Sequence, residues 1–252
     1  MAADPGAMTR LLPGPPAAVT ADEIAEIYTP PAAAWVRANL AVTLDAAVEI
    51  DGRSGGIGGP ADRALFLHLR AMADVVLVGA GTARSERYGA VVVDAADQAR
   101  RAARGQSAEV PVAVVTAAAR LDPSARLFQS GTRPLVLTCA AAPPQARSAL
   151  AEVADVEICG QDRVDPGAAI AALARRGLRH VHCEGGPALL ADLLAAGVLD
   201  ELELTTAPLL AGGGRRSLTG GDRLSRPVAA HLASLLTDPR GTLFARYLLE
   251  RP

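Results

Sequence analysis

The feature that most constrains this chain is the stretch His180–Val181–His182–Cys183–Glu184–Gly185–Gly186–Pro187, which runs on into Ala188–Leu189–Leu190–Ala191–Asp192–Leu193–Leu194. A short β-prone run ends at a carboxylate, two glycines follow, and a proline opens an apolar helix. Proline is pre-set for the first helical position, where its missing N–H is no loss. Glycines let another molecule approach the backbone closely. The free N–H groups and positive dipole end of a helix start suit a phosphate. The stretch reads as half of a dinucleotide site, with Glu184 aimed at whatever the dinucleotide reacts with. Taken alone it is also an ordinary strand–turn–helix connection, because a short glycine motif is weakly specific.

A second bend of this kind lies earlier. Ala73–Asp74–Val75–Val76–Leu77–Val78 reads as a fully buried parallel strand, and Gly79–Ala80–Gly81–Thr82 follows it directly. This is a truncated GxGxxG with Arg84 in the third glycine's place, so the Rossmann fingerprint is not met. If both strands lie in one parallel sheet, both turns face the same crevice at the strands' carboxyl ends. A molecule with phosphates at two places, such as NADPH, suits that pair.

Around these bends the pattern alternates strands and helices. Apolar runs predict strands over 35–42, 111–116, 134–139, 153–159, 228–236 and 242–249. Residues 199–207 alternate at period two, as a half-exposed strand does. Helices are predicted over 60–72, 142–151 and 165–176. Thr20–Ala21–Asp22–Glu23 fits a capping box and starts a short helix through Tyr28. Residues 1–19 are Ala/Gly/Pro-rich and read as a loosely held leader. Asp51–Gly59 is a glycine-rich loop, and Pro208–Gly214 makes a third glycine turn. Residues 94–110 read as a polar insertion, with Arg100, Arg101 and Arg104 on an exposed helix face. The whole predicts one α/β domain over 34–250 behind a leader over 1–33.

Composition removes several classes of function. All the basic residues are arginine, so lysine-nucleophile and Schiff-base chemistry are excluded, and any phosphate clamp must use arginine or backbone N–H groups. A net charge of −2 gives no support for a nucleic-acid partner or an anionic membrane surface. No apolar run reaches the roughly 18 residues of a membrane span, and Pro13 breaks Leu11–Leu12, so no secretion signal is read. Cys139, Cys159 and Cys183 are odd in number and far apart, which reads as reduced thiol in a cytoplasmic protein. No metal-ligand spacing is evident.

Five segments together carry a resemblance. They are Thr43–Leu44–Asp45, Leu69–Arg70–Ala71–Met72–Ala73–Asp74, Val78–Gly79–Ala80–Gly81–Thr82, Glu184–Gly185–Gly186–Pro187–Ala188–Leu189–Leu190 and Ala207–Pro208–Leu209–Leu210–Ala211–Gly212–Gly213. In this order, over about 35–249, the chain resembles the pyrimidine reductases of riboflavin biosynthesis. The zinc deaminase module often fused ahead of them is missing, since the full H-x-E…P-C-x-x-C signature does not occur.

The resemblance implies a single dihydrofolate-reductase-like domain, with a mixed, mostly parallel sheet flanked by helices and antiparallel C-terminal strands. It implies NADPH as cofactor and hydride transfer to C1 of the sugar of a phosphorylated ribosylaminopyrimidine. It also implies a homodimer, through strand 199–207 and the closing hairpin. Gly79, Gly81 and Thr82 would hold the cofactor backbone-close. Gly185, Gly186, Pro187, Ala188, Leu189 and Leu190 would hold its pyrophosphate, with Thr116 and Val164 touching it again and Glu86 near the nicotinamide ribose. Asn39, Ser54, Arg70 and Glu184 fall at substrate positions. Glu184 and Asp45 are the catalytic candidates. Glu184 would accept from the pyrimidine's amino groups or deliver a proton.

Two departures stand out. The family's aspartate is usually followed by glycine, and here Ala46 follows Asp45. The segment Ser85–Glu86–Arg87–Tyr88–Gly89–Ala90–Val91–Val92–Val93 has valine where the family carries a phosphate-binding arginine. Two other readings therefore stay open: reduction of a dihydropterin or dihydrofolate, and a nucleotide-binding regulator without catalysis.

Overall fold

Short Val/Leu runs bounded by Gly, Pro and Asp suit strands buried on both faces, and the longer amphipathic stretches between them suit covering helices. A computed structural model describes residues 8–250, except 32, 53, 130, 213–217 and 221–223. Its elements are β1 (Met8–Leu12), β2 (Ala17–Val19), α1 (Ala21–Tyr28), β3 (Trp35–Thr43), α2 (Pro60–Met72), β4 (Val75–Gly79), α3 (Ala80–Ser85), α4 (Ala95–Ala103) and β5 (Val112–Val115). There follow β6 (Leu135–Thr138), α5 (Pro144–Ala151), β7 (Asp155–Ile158), α6 (Pro166–Arg175), β8 (His180–Cys183), α7 (Pro187–Ala195), β9 (Glu201–Ala207), β10 (Ala230–Thr237) and β11 (Leu243–Leu249).

All the strands join one sheet in the order β2-β1-β10-β11-β9-β3-β8-β4-β5-β6-β7. From β9 to β7 every pairing is parallel. From β9 to β2 every pairing is antiparallel. This is the expected α/β fold, a mixed and mostly parallel sheet whose antiparallel part combines β9, β10 and β11 from the C-terminal end with β1 and β2 from the N-terminal end. Gly213 and Gly214 of the third glycine turn lie outside the described residues.

The strand order matters most at the centre. β8 runs between β3 and β4, parallel to both. Along β8, Val181 and Cys183 point into the core shared with Leu173, Leu190 and Leu193 of α6 and α7. His182 and Glu184 alternate to the opposite face, the side that α2 covers. α2 begins at Pro60 in its first turn and buries Leu65, Leu69 and Met72. Arg70 comes to the same carboxyl-end crevice from its last turn.

Three expectations are corrected. Residues 8–19 are not a loose leader. β1 pairs with both β10 and β2, Met8 is buried, and α1 packs Ile24 and Tyr28 into the same core as Leu69 and Phe244. The N-terminal segment is thus part of the domain, because β10 leaves an edge whose N–H and C=O groups need a partner. α1 itself carries the expected capping box, Thr20 accepting from the Glu23 N–H and Glu23 accepting from the Thr20 N–H at 2.7 Å.

The second correction concerns β9. Its alternation is inverted, because Glu201, Glu203 and Thr205 are the buried residues and Leu202, Leu204 and Thr206 the half-buried ones. The glutamates turn inward because arginines on neighbouring strands meet them. Arg37 of β3 donates to Glu201, and Arg246 of β11 donates to Glu201 at 2.9 Å. The Trp35 indole N–H donates to it as well, at 2.8 Å. Burial opposes the charge on Glu201, but the Arg37 guanidinium and the bonds from Glu203 and Arg246 bring its pKa down to about 2.

Third, Arg101 is not on a solvated face. It is fully buried, and its guanidinium donates to the carbonyls of Ala71 and Ala73 at 2.9 and 2.5 Å and of Ser107 at 2.7 Å. The Ala71 and Ala73 carbonyls end α2, so Arg101 caps the helix that carries Arg70 and ties the 94–110 segment to it. Arg101→Leu takes the Arg101 donor from the Ala73 carbonyl, leaves Ala71 with only the longer 3.3 Å bond from Arg104, and should lower stability by about 3 kcal/mol. Urea denaturation reads this as a lower midpoint with an unchanged slope.

Candidate active site

Adjacent parallel strands put the two glycine bends side by side. The ladder continues past the strand ends: the Glu184 N–H donates to the Leu77 carbonyl at 2.9 Å, and the Gly79 N–H to the Gly185 carbonyl at 2.7 Å. Gly185 has φ +80°, a conformation side-chain-bearing residues rarely adopt, and the Gly185–Gly186 peptide is cis. A Cβ on Gly186 would lie 2.6 Å from Thr82 Oγ1, and one on Gly79 would lie 3.5 Å from the Gly186 nitrogen. Backbone therefore faces backbone across the crevice. Gly186 is the N-cap of α7 and Pro187 opens the helix. Gly220, in the segment after β9, donates its N–H to the Pro187 carbonyl at 3.0 Å and closes in on the same helix start.

Glu184 is buried at the mouth of this junction and is held by donors on both oxygens. Arg70 grips it as a fork, Nε to Oε1 at 2.6 Å and Nη2 to Oε2 at 2.7 Å. The Tyr88 hydroxyl donates to Oε2 at 2.5 Å. Bidentate, charge-assisted contacts of this kind are among the stronger hydrogen bonds in proteins. The Arg70 guanidinium also stacks over the Phe66 ring, 4.2 Å from its centroid. Burial works against the charge on Arg70, but the hydrogen bonds and charge of Glu184 outweigh it and raise its pKa. Burial, reinforced by the Glu184 charge, pushes the Tyr88 phenol well above its usual value, so it stays a donor. Arg70 is thus no solvated helix-end charge.

The other expected residues fall into three groups. Asn39 is buried on β3, one residue past the Ala38–Cys183 register pair, which sets it beside Glu184. Thr116 directly follows β5 and is buried, its N–H donating to the Leu137 carbonyl, while Val164 packs on the core that holds Leu189 and Leu190. Ser54 and Glu86 meet each other: the Ser54 N–H and hydroxyl both donate to Glu86 Oε1 at 3.0 Å. That contact folds the glycine loop against the end of α3. Gly81 and Ala188 are exposed.

Asp45 is engaged elsewhere. It accepts from the Thr43 hydroxyl at 2.5 Å and from the N–H groups of Ala211 and Gly212 at 3.1 and 2.8 Å. These bonds, the Thr43 hydroxyl first, hold its carboxyl well below the usual range. It ties the end of β3 to the loop after β9. Ala46, where the family usually has glycine, sits at φ 63° in that turn.

Two residues of the site were not singled out in the sequence. Tyr88 lies in the segment where the family pattern fails, so the motif gave no guide to it. Its signal is a lone aromatic just past α3, the helix that the glycine bend opens, in a chain with only three tyrosines. His182 precedes Glu184 by two positions on the same strand face and lies fully inside the protein, its Nε2 3.7 Å from Glu184 Oε1.

Burial holds the His182 imidazole down at about 4, against the pull of Glu184. An unfolded histidine takes up its proton near 6.5. Between those values the unfolded chain binds more protons, so stability is full above about pH 6.5 and is lost as the pH falls toward 4. From about pH 7 to pH 5 this group should withdraw about 2 kcal/mol. The urea midpoint measured at both pH values checks this, and His182→Leu should remove that share of the loss.

The sequence pattern of the RibD C-terminal domain matches residues 34–244. The chain belongs to that family. Two relatives carry the name 2,5-diamino-6-ribosylamino-4(3H)-pyrimidinone 5′-phosphate reductase. The one from Archaeoglobus fulgidus is 28% identical over 180 residues, 71% of this chain and 82% of its own. The one from Methanothermobacter thermautotrophicus is 29% identical over 192 residues, 75% and 84% of the two chains. Among solved structures, a pyrimidine reductase-like protein from Corynebacterium diphtheriae superposes with a TM-score of 0.77 at 28% identity, covering 87% of this chain and 93% of that one. The riboflavin biosynthesis reductase of Saccharomyces cerevisiae, at 18% identity and a TM-score of 0.65 over 90% and 98% of the two chains, shares the fold. The resemblance drawn from the five segments is borne out, and the expected enzyme class is that of the named relatives.

Proposed function

We propose that this protein is an NADPH-dependent reductase that converts the ribosyl group of a phosphorylated aminopyrimidine to a ribityl group. One observation carries the reading: the Gly79–Gly185 hydrogen bond joins two glycine bends directly beside a carboxylate held by Arg70 and Tyr88. The crevice suits a nucleotide pyrophosphate, because a Cβ at Gly186 would fill it and the first turn of α7 offers N–H groups there. When bound, the cofactor would supply a hydride for C1 of the ring-opened sugar imine, while solvent would supply the proton that the imine nitrogen takes up.

The rest of the work falls to this chain. Gly79, Gly81 and Thr82 would hold the cofactor from one side and Gly185–Leu190 from the other. Thr116 and Val164 would extend the same contact, and Glu86 would serve the nicotinamide ribose. Glu184 accepts N–H groups of the pyrimidine and orients it, with Asn39 beside it. Arg70 turns its guanidinium from Glu184 to the substrate phosphate. It would stand in for the arginine that this chain replaces by valine; Val91 and Val93 pack, like Tyr88, against an apolar cluster. Ser54 would exchange Glu86 for substrate. Asp45 serves as scaffold, with its acceptors already used.

The same reading gives a homodimer through the half-buried face of β9 and β11. Its place is the cytoplasm, where its three buried thiols stay free. No helix among the described residues is long and apolar enough to cross a membrane.

The test is NADPH oxidation with 2,5-diamino-6-ribosylamino-4(3H)-pyrimidinone 5′-phosphate, its deaminated counterpart, dihydrofolate and a dihydropterin. Turnover of an aminopyrimidine with product carrying a ribityl chain is expected. Turnover of pterin or folate alone, or tight NADPH binding with no turnover at all, would overturn the reading.

A further inference from the structure

His182 is the buried group that the mechanism above leaves idle. Its side chain is about as buried as a core leucine, yet no described residue hydrogen-bonds either ring nitrogen. A polar group buried without a partner is destabilising, and native proteins keep few of them. A leucine would fill the site without that cost. Each buried polar group kept without a partner in a native structure calls for an explanation, and a role in the site is one.

The geometry shows what the use is. His182 and Glu184 lie two apart on β8 and share a face. Among the described residues, Glu184 is the one carboxylate within 4 Å of the ring nitrogens, with Nε2 to Oε1 at 3.7 Å. That is too long for a hydrogen bond by less than an ångström. Oε1 is at present taken by Arg70 Nε. The edge of Phe66 meets the imidazole at 6.3 Å and 62°, and the same Phe66 carries the Arg70 guanidinium on its face. The charged groups that act on the ring are Glu184 and Glu201, which favour a proton on it, and Arg37 and Arg70, which oppose one. The small cavity that it lines with Arg37 and Trp35, about 10 Å³, has room for one water at most.

We propose that His182 is a positioning residue that holds Glu184 from below, its Nε2–H donating to Oε1 once the substrate draws the Arg70 fork away. Glu184 then keeps a donor at each oxygen, Tyr88 at Oε2 and His182 at Oε1, and stays aimed at the pyrimidine. Sites that hold catalytic groups often show such bonds as long in the free protein and shorter in the complex. The inference rests on the reading of Glu184 as the substrate's acceptor.

Two variants and one spectrum test it. His182→Leu removes the N–H and keeps the bulk; His182→Gln keeps an N–H at a similar reach. With Leu, kcat should fall by about tenfold or more while the NADPH Kd stays within about twofold and Tm does not drop. With Gln, kcat should stay within about threefold of the parent. Equal kcat for Leu and the parent protein would overturn the proposal, as would equal losses for Leu and Gln. The chain has four histidines, so ¹⁵N-histidine labelling resolves the His182 tautomer. A neutral Nε2–H form down to about pH 5, shifted by Glu184→Gln, is expected. An Nδ1–H tautomer would contradict it. If the parent protein turns over no aminopyrimidine, the functional reading fails by itself, and the tautomer and its response to Glu184→Gln still decide the His182 contact.

Discussion

Gly186→Asp should abolish NADPH binding, raising Kd by about a thousandfold or more, in a protein that still folds. Gly186 has φ −75° and ψ −167°, extended backbone open to any residue, and aspartate is a preferred N-cap. The helix itself therefore loses nothing. What changes is the crevice. The new Cβ lies 2.6 Å from Thr82 Oγ1, which a rotation of the threonine hydroxyl relieves. The new carboxylate has no such relief. It takes the free N–H groups of α7 for itself and faces the pyrophosphate, and two like charges about 5 Å apart at an effective dielectric of about 20 repel by about 3 kcal/mol. Gly186→Ala separates the two effects, because it carries the Cβ alone and should cost about tenfold or less. A fluorescence titration with NADPH reads both. Micromolar affinity retained by Gly186→Asp would remove the α7 start from the cofactor site.

Glu184→Gln should do the reverse, leaving the NADPH Kd within about threefold and lowering kcat by about a hundredfold. In the free protein the carboxylate accepts three contacts, two from Arg70 and one from Tyr88. Glutamine turns one of those oxygens into an N–H₂ group. Either Arg70 or Tyr88 then faces a donor, and the amino groups of the pyrimidine meet a mixed surface instead of an acceptor. The guanidinium is left partly buried without its counter-charge, a state that costs several kcal/mol when full. The crevice between the glycine bends is untouched, because Glu184 reaches it only through its backbone N–H. Single-turnover and steady-state rates together check the split between binding and chemistry. Equal turnover in the variant would take Glu184 out of the mechanism.

How much of this was legible in the sequence depends on how local each cause is. The start of α2 at Pro60, the capping box at Thr20 and the Gly–Pro entry to α7 were readable because each rests on residues within one turn. The meeting of the two glycine bends was readable because buried parallel strands have few arrangements. What was missed is non-local. β1 and β2 look like a Pro-rich leader until β10, at the far end of the chain, offers them an edge. Arg101 looks like a solvated charge because the carbonyls of Ala71 and Ala73 come from another helix. Glu201 and Glu203 look like the wet side of a strand because Arg37 and Arg246 arrive from its two neighbours. Tyr88 hides in the segment where the family pattern breaks. In each case the polar group's partner sits on a different element, so no window along the chain contains both.

The most direct measurement is a structure of the protein with NADPH bound. The pyrophosphate should lie between Gly79–Thr82 and Gly186–Leu190, with the nicotinamide on the Glu184 side of the crevice. A pyrophosphate seated away from Gly186, or a nicotinamide turned from Glu184, would contradict the site.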